Sequence, residues 1–215
     1  NYEKIDGINY GHRSEEGFFL KDTFIHKPLR IKFSFDNNFY FLNNPNALIG
    51  TTEKNTKVIF DLDQTSKENN LDYITSWLNI SAKKISEFKS ISNNGFNIKM
   101  GKFKNKKKLF VFATLQENEN IIYRFLLLTK EDELELFDGK FMRIILSFSK
   151  ISDEELDLFH PPVIKILTAT SDSRFFEETL QKTRLQTMHG KEIFSTLNDL
   201  KINELDANQK IKTVY

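Results

Sequence analysis

Apolar and polar side chains alternate over residues 29–35, as they do in a strand with one buried face. Residues 36–38, Asp-Asn-Asn, have turn chemistry, and the apolar stretch at 39–42 follows them directly. This order predicts a hairpin. Two further short apolar runs, at 47–50 and 57–62, extend the pattern, so we expect sheet to dominate the early part of the chain.

From Leu71 the period of the pattern changes, because apolar residues recur every three or four positions. That spacing places them on one face of a helix. The stripe consists of Leu71, Ile74, Leu78, Ala82, Ile85 and Phe88. We therefore predict a single helix over residues 71–88 that covers the sheet. Asn93-Asn94-Gly95 then interrupts this pattern.

Three strand-like segments follow this helix, at residues 97–103, 109–115 and 121–128. The polar turns between them are short, which predicts an antiparallel meander. A second amphipathic stripe over 134–148 predicts another helix, with acidic residues at 132–133 near its positive end.

Pro161-Pro162 interrupts the pattern, because proline removes backbone donors and fixes an extended segment. The period then restarts in the order β-α-α-β, with segments at 163–168, 172–185, 190–197 and 210–214. The fold class we predict is α+β: an antiparallel sheet covered by helices, followed by a small β-α-α-β domain. The expected organisation is a lead-in at 1–22, an accessory domain at 23–152 and a terminal domain at 161–215.

Composition narrows the classes of partner. Lys plus Arg number 31 against 30 Asp plus Glu, so the net charge of +1 gives no overall field for nucleic acid. There is no cysteine for a thiol nucleophile or thiolate metal site. Apolar runs are too short to span a membrane. The chain starts at Asn1 and not at methionine, which suggests a portion of a longer protein.

Candidate chemistry is sparse. The four histidines are isolated in sequence and do not form an H-E-x-x-H zinc helix: His12, His26, His160 and His189. Asp61 and Asp63 share a strand face but lack the other ligands of a calcium loop. A lysine run interleaved with Phe103, at 99–108, is expected to lie at a solvated hairpin tip. Trp77 lies off the main helical stripe, as second-layer core or as an exposed aromatic residue. The sequence therefore predicts neither catalytic nor metal-ligating residues in this chain.

Several stretches of this sequence resemble a known family when they are read together. These are Asp6-Gly7-Ile8-Asn9-Tyr10-Gly11 through Gly17-Phe18, Thr23-Phe24-Ile25-His26-Lys27-Pro28-Leu29, and Asn46-Ala47-Leu48-Ile49-Gly50. They resemble the region after the catalytic domain in bacterial zinc metallopeptidases of metallo family 48. Leu197-Asn198-Asp199-Leu200 and Gln209-Lys210-Ile211-Lys212 resemble that family's LysM-like terminal unit. Departures are Asn38 in place of proline or glycine, Ser171-Asp172-Ser173 in place of Gly-Asp-Thr, and Asn208 in place of glycine.

The resemblance implies a first domain of α-β-α layers, as in PsbP and Mog-like proteins, and a LysM-like second domain. It implies that zinc, with its histidine ligands, belongs to an upstream catalytic domain, so this chain holds no cofactor. Ligand-contacting residues would lie in two loops of the terminal domain: Ser171, Asp172, Ser173, Arg174, Asn198, Asp199 and Leu200.

The function expected from the resemblance is that of a non-catalytic accessory region of an exported metalloendopeptidase, acting in protein quality control or envelope maintenance. Its location would be the periplasm or cell envelope. Its partners would be its own upstream protease domain, with peptidoglycan or an envelope protein as further candidates, without nucleic acid. Two alternatives stay open: a free-standing peptidoglycan-binding module and a protein-binding adaptor that uses a sheet edge or Trp77.

Overall fold

Thirteen strands and five α-helices are found in a computed structural model that describes residues 2–11, 14–172, 174–200 and 205–215. The strands are β1 Phe18–Leu20, β2 Thr23–His26, β3 Ile31–Ser34, β4 Tyr40–Asn44, β5 Ala47–Thr51, β6 Lys57–Gln64, β7 Ser86–Asn93, β8 Phe96–Asn105, β9 Lys108–Gln116, β10 Ile121–Lys130, β11 Ser149–Lys150, β12 Ile164–Thr168 and β13 Lys210–Val214. The helices are α1 Leu71–Leu78, α2 Leu134–Ser147, α3 Asp153–Leu158, α4 Phe175–Lys182 and α5 Gly190–Leu197.

The chain divides into two compact units. Unit 1 comprises Asn1–Lys32 and Ile151–Tyr215, and unit 2 comprises Phe33–Lys150. This division differs from the predicted boundaries of 1–22, 23–152 and 161–215, because residues 23–32 group with the C-terminal residues. The physical reason is a buried cluster of Phe18, Ile25 and Ile151, which are distant in sequence. A reading that divides the chain at its linkers cannot detect such a pairing.

Unit 2 is built on a seven-stranded sheet with the order β4-β5-β6-β10-β9-β8-β7. Every neighbouring pair is antiparallel. The predicted meander of β8, β9 and β10 is confirmed, and so are the strands β4, β5 and β6. All of these strands lie within two residues of their predicted bounds, as is usual for ends set by turn chemistry.

The predicted hairpin of residues 29–35 with 39–42 is wrong, because β3 belongs to a four-stranded sheet with the order β1-β2-β3-β11 and β4 pairs with β5 instead. Alternation predicts a strand but does not identify its partner strand.

Helices lie on both faces of this sheet. Phe60 and Phe125 are paired across β6 and β10, and both contact Phe148 at the end of α2. Side chains alternate between the faces of a strand, so Ile122 points to the opposite face. There it packs in a buried cluster with Tyr73 and Ile74 of α1. The layers are therefore α-β-α, as predicted for this part of the chain.

Phenylalanine rings form the core on the α2 side of the sheet. The rings of Phe33, Phe60, Phe96, Phe125 and Phe148 are all buried, and Phe148 contacts each of the other four. Most neighbouring rings are tilted or edge-to-face, with centroids 5.2 Å apart for Phe33 and Phe125. This geometry is the one that the ring quadrupole favours. Core packing thus accounts for much of the high phenylalanine content.

Two glycines allow aromatic rings to lie directly on the sheet. A Cβ atom at Gly50 would lie 2.7 Å from Cζ of Phe41, and a Cβ atom at Gly101 would lie 2.7 Å from Cζ of Phe112. Side chains at these positions would displace buried rings. Gly50 ends the stretch 46–50 that carries part of the family resemblance, so its role here is packing.

The predicted helix over 71–88 is wrong in its second half. Helix α1 ends at Leu78, because Asn79 adopts a left-handed conformation with φ of 50°. Residues Ser86–Asn93 form the edge strand β7 instead. Its register with β8 shifts between Ser86 and Lys89, where Glu87 has φ of 51°. Asparagine tolerates the left-handed region, which overrides the apolar spacing that continued beyond it.

Unit 1 contains the predicted β-α-α-β order. Strands β12 and β13 pair antiparallel, and α4 and α5 lie between them in sequence. Phe176, Phe194, Ile211 and Val214 form the buried cluster that joins these elements. The hairpin of β1 and β2 was not predicted, because its strands are only three and four residues long.

Helix α3 was also not predicted, although the residues that cap its N-terminus can be recognised in the sequence. Ser152 accepts a hydrogen bond from the backbone of Glu155, and the Glu155 side chain accepts one from the backbone of Ser152. This reciprocal arrangement is a capping box. Lys32 pairs with Glu155, and Arg30 pairs with Asp153. The helix therefore falls in the segment that the sequence analysis treated as a linker.

Candidate functional site

The first predicted ligand loop lies at the start of α4. Asp172 Oδ1 accepts a hydrogen bond from the backbone N–H of Arg174 at 2.9 Å, and Asp172 Oδ2 accepts one from the Arg174 guanidinium at 3.1 Å. The hydrogen bonds from Arg174 lower the pKa of the Asp172 carboxyl. The Arg174 side chain is 75% exposed, so this pair is open to a ligand from solvent. Ser171 is exposed beside it, and Ser173 lies outside the described residues.

The second predicted loop lies at the end of α5, where Asn198 is fully used in holding the backbone. Its Nδ2 donates to the carbonyl oxygens of Phe194 at 3.0 Å and Lys212 at 2.7 Å. Its Oδ1 accepts from the backbone N–H of Lys212 at 2.5 Å. The side chain therefore ties the last turn of α5 to β13. It has no donor left to offer a ligand.

Asp199 and Leu200 complete this turn. Asp199 has φ of 53°, a left-handed conformation, and the Leu200 N–H donates to the Ser195 carbonyl at 2.9 Å. The Leu200 side chain packs against the buried cluster of unit 1. Within the described part of unit 1, no hydrogen bond or ion pair joins Asp172 or Arg174 to the 198–200 turn. The structure thus gives the first loop an exposed ion pair and the second a structural role.

The lead-in segment contributes an unexpected feature, since it runs along the outer edge of β12. Gly7 N–H donates to the Ile164 carbonyl at 2.7 Å, and Ile164 N–H donates to the Ile8 carbonyl at 2.8 Å. Tyr10 N–H donates to Pro162 O at 2.8 Å, and Asp6 Oδ1 accepts from Ile166 N–H at 3.0 Å.

An isolated bridge between Asn9 and Val163 continues this pairing, and the Tyr10 ring packs against the buried cluster of unit 1. The segment is too polar for a strand to be read from its sequence. Its glycines, however, are part of the stretch that carries the family resemblance. The first and last parts of the chain are thus held together within one unit.

The carboxylate pair on β6 is occupied by protein partners. Arg124 on β10 donates to both oxygens of Asp61, at 2.7 and 2.8 Å, and Asp63 accepts from the Tyr73 hydroxyl at 2.9 Å. The Arg124 guanidinium also lies 5.2 Å from the centre of the Trp77 ring. Burial, reinforced by the bond to Asp63, raises the pKa of Tyr73 to about 12. This network fastens α1 to the sheet.

The lysine run divides according to strand face. Lys102 is only 15% exposed and pairs with Glu87 at 2.8 Å and Asp138 at 3.2 Å. Burial lowers its pKa, but the bonds to the two carboxylates outweigh that effect and raise it. Lys104 pairs with Glu131. Three further lysines are exposed at the tip of the β8–β9 hairpin, as predicted: Lys106, Lys107 and Lys108.

A cleft of about 500 Å³ lies beside Lys102 in unit 2. Its walls include Lys84, Ser86 and Lys104, together with Leu109 and Leu134. Two ion pairs line it, Lys102 with Glu87 and Lys104 with Glu131. Glu87 and the α2 residue Asp138 are the two carboxylates that pair with Lys102, and no sequence pattern pointed to either of them.

None of the three histidines in the described ranges belongs to a metal-binding cluster. His26 Nδ1 accepts a hydrogen bond from Leu29 N–H at 3.1 Å, and burial lowers the pKa of its imidazole. His160 is exposed, His189 ends a 3-10 turn, and His12 lies outside the described residues. Over the described ranges, no group of three or more His, Asp or Glu side chains could hold a metal ion. No helix in those ranges is long and apolar enough to cross a bilayer.

Comparisons with known proteins return structural likeness alone. No protein-family model matches the chain, and no curated protein does. The cyanobacterial PsbP protein of Synechocystis matches 65% of this chain and 98% of its own, with 11% identity and a TM-score of 0.47. LpqN of Mycobacterium tuberculosis, described as involved in cell envelope biogenesis, matches 57% of this chain and 83% of its own, with 11% identity and a TM-score of 0.42. At such values, the argument for function has to come from this chain's own residues.

Proposed function

We propose that this chain is the non-catalytic accessory region of an exported zinc metallopeptidase, as its sequence resemblance implies. The observation that carries the proposal is that the stretches that resemble that family lie in both units. In the structure these stretches fix the backbone: His26 accepts a bond within its own turn, Gly50 accommodates Phe41, and Asn198 joins α5 to β13. Residues that fix the backbone in this way support a role in binding a partner and not in catalysis.

The pairing of residues 6–10 with β12 suggests how this chain would hold the protease domain. In the family, the lead-in follows the catalytic domain, and here residues 6–10 are hydrogen-bonded along β12 of the terminal unit. A protease domain joined at residue 1 would therefore be tethered beside unit 1 by a short link. We propose that unit 1 positions the protease at the cell envelope or presents polypeptide to the protease. Zinc would belong to that upstream domain.

The first test is the coding sequence upstream of residue 1. We expect it to encode an H-E-x-x-H helix and, before it, an export segment. In the longer protein, deletion of residues 151–215 should leave cleavage of a short fluorogenic peptide unchanged. It should reduce cleavage of an unfolded protein or recovery with the envelope fraction. An upstream region without the zinc helix would end the proposal.

A second candidate, binding of peptidoglycan glycan, is favoured by the exposed Asp172–Arg174 pair at the start of α4. A few placed polar or charged groups fix the orientation of a ligand in a binding site. Retention of the chain on purified peptidoglycan, and its loss in Arg174→Ala, would support this function. Equal recovery of the chain with and without peptidoglycan would remove it.

A further inference from the structure

One part of the unit 2 sheet has apolar side chains on a face that α1 does not fully cover. Leu42 pairs with Ile49, Ile49 with Ile59, and Ile59 with Leu126, in one row across β4, β5, β6 and β10. Leu128 lies two residues further along β10 on the same face. We call these five residues the open face. Leu42 is 51% exposed, and the other four are partly exposed.

The open face is recessed because α1 lies next to it. Helix α1 packs on Phe103, Phe112 and Ile122 of strands β8, β9 and β10. A helix on a sheet rises roughly 10 Å above the strands it covers. Leu126 of β10 packs against the cluster under α1 and marks the boundary of the open face. The three strands beyond it, β4, β5 and β6, occupy about 14 Å of sheet, which is close to the diameter of one helix. The recess therefore has the width of a second helix lying beside α1.

Lysines border one end of the open face. On the same face, Lys57 pairs with Leu128, and Lys108 pairs with Lys130. Lys54 lies at the turn between β5 and β6, where Glu53 is its acidic neighbour. All four lysines are exposed, and no ion pair or hydrogen bond of their ammonium groups occurs within the described ranges. This border favours an anionic occupant.

From this recess and its border we infer that unit 2 binds an amphipathic helix of a partner polypeptide, with an apolar stripe on the open face and acidic residues against Lys54, Lys57, Lys108 and Lys130. The inference goes beyond the proposed peptidase role and does not depend on it. Away from the outer edge of β4, the open face offers side chains and not backbone groups, so an occupant that lies across it must satisfy its own backbone hydrogen bonds, as a helix does. A flat bilayer surface fits less well, because α1 stands above the recess.

The probe is a fluorescein-labelled peptide of about 18 residues, designed as a helix with leucines on one side and glutamates on the other. The comparison peptide has the same sequence with lysines in place of the glutamates. Fluorescence anisotropy with the full chain should show binding of the acidic peptide about tenfold tighter than that of the basic one. Amide shifts in nuclear magnetic resonance should concentrate on β4, β5, β6 and β10.

Two variants test the assignment of the surface. Leu42→Glu places a charge on the apolar row, and the double variant Lys57→Glu, Lys130→Glu reverses its border. Each should weaken binding of the acidic peptide about tenfold. The controls are Leu158→Glu, at a residue 71% exposed in unit 1, and Lys165→Glu on β12, and both should bind as the parent does. Circular dichroism verifies the fold of every variant.

Equal affinity for the two peptides, no binding of either, or equal weakening by the control variants would overturn the inference. Vesicles of phosphatidylglycerol and phosphatidylcholine provide a further arm. Binding of these vesicles that displaces the peptide and is lost in the Lys57→Glu, Lys130→Glu variant would assign the surface to a membrane. No vesicle binding, together with selective peptide binding, would support the inference.

Discussion

Asn198 shows how a residue that resembles part of a binding loop can be committed to structure. All three of its side-chain hydrogen bonds go to backbone groups, two of them on Lys212. By contrast, Asp172 and Arg174 bond to each other in solvent. The distinction follows from burial and partner count, which a sequence alone does not give.

The substitution Asn198→Ala tests this structural role. It leaves two carbonyl groups and one N–H without their partners, so we expect the free energy of unfolding to fall by about 2 kcal/mol. Urea denaturation followed by circular dichroism measures the loss. Thr196→Ala, at an exposed position of the same helix, is the matched control and should change little. A destabilisation no larger than that of the control would show that solvent replaces these bonds.

His26 gives unit 1 a dependence on pH. Burial lowers the pKa of its imidazole below 6.5, and a bond to its own backbone opposes this by less. The unfolded chain therefore takes up a proton first as the pH falls, and stability decreases from pH 6.5 downward until the folded imidazole is also protonated.

Replacement of His26 by Gln should flatten this dependence. We expect the melting temperature of His26→Gln to change less between about pH 7 and pH 5 than that of the parent chain. Differential scanning calorimetry at several pH values makes the comparison. The control is His160→Gln, at an exposed position, and it should keep the slope of the parent. The same slope in His26→Gln would contradict the assignment.

At the scale of elements, α1 and the sheet are joined by Arg124. It bonds Asp61 through two nitrogens and lies over Trp77, the only tryptophan of the chain. The Arg124 side chain is 18% exposed and that of Asp61 is 26% exposed, so solvent screens the pair only in part. A change at Arg124 should therefore be visible at Trp77.

The variant Arg124→Met leaves Asp61 without its partner in a mostly dry site. We expect a loss of about 2 kcal/mol in unfolding free energy and a changed emission spectrum of native Trp77. Arg143→Met is the matched control, because Arg143 also pairs with a carboxylate, Asp36, but is 64% exposed. Equal losses in the two variants would mean that burial of the Arg124 pair adds nothing.

The strands and helices show how much of the fold can be predicted from the sequence. The alternation of apolar and polar residues predicted strands β3 to β6 and the β8–β10 meander, since one face of each strand is buried. It gave the wrong extent for α1, because a single left-handed Asn79 ends the helix inside a continuous apolar stripe. It also missed α3, whose capping box at Ser152 and Glu155 was readable in the segment assigned to a linker. Of the predicted site, the structure leaves Ser171, Asp172, Arg174 and Asp199 exposed.

At the scale of the whole molecule, unit 1 is assembled from both ends of the chain. Removal of residues 1–10 would strip hydrogen bonds from β12 and Tyr10 from the buried cluster. We expect unit 1 to lose about 2–4 kcal/mol of stability. Faster amide hydrogen exchange at Ile164 and Ile166 would report the loss. Trp77 lies in unit 2, so its fluorescence in the native state serves as the internal control and should not change.

The left-handed Glu87 in β7 bears on how separate molecules behave in concentrated solution. An outer strand with eight residues and a half-exposed Phe88 would invite the sheet of another molecule to add on and grow into a fibre. The irregular register between Ser86 and Lys89 breaks the regular row of amide and carbonyl groups that such growth needs. The irregularity at Glu87 thereby disfavours growth of the sheet from one molecule to the next.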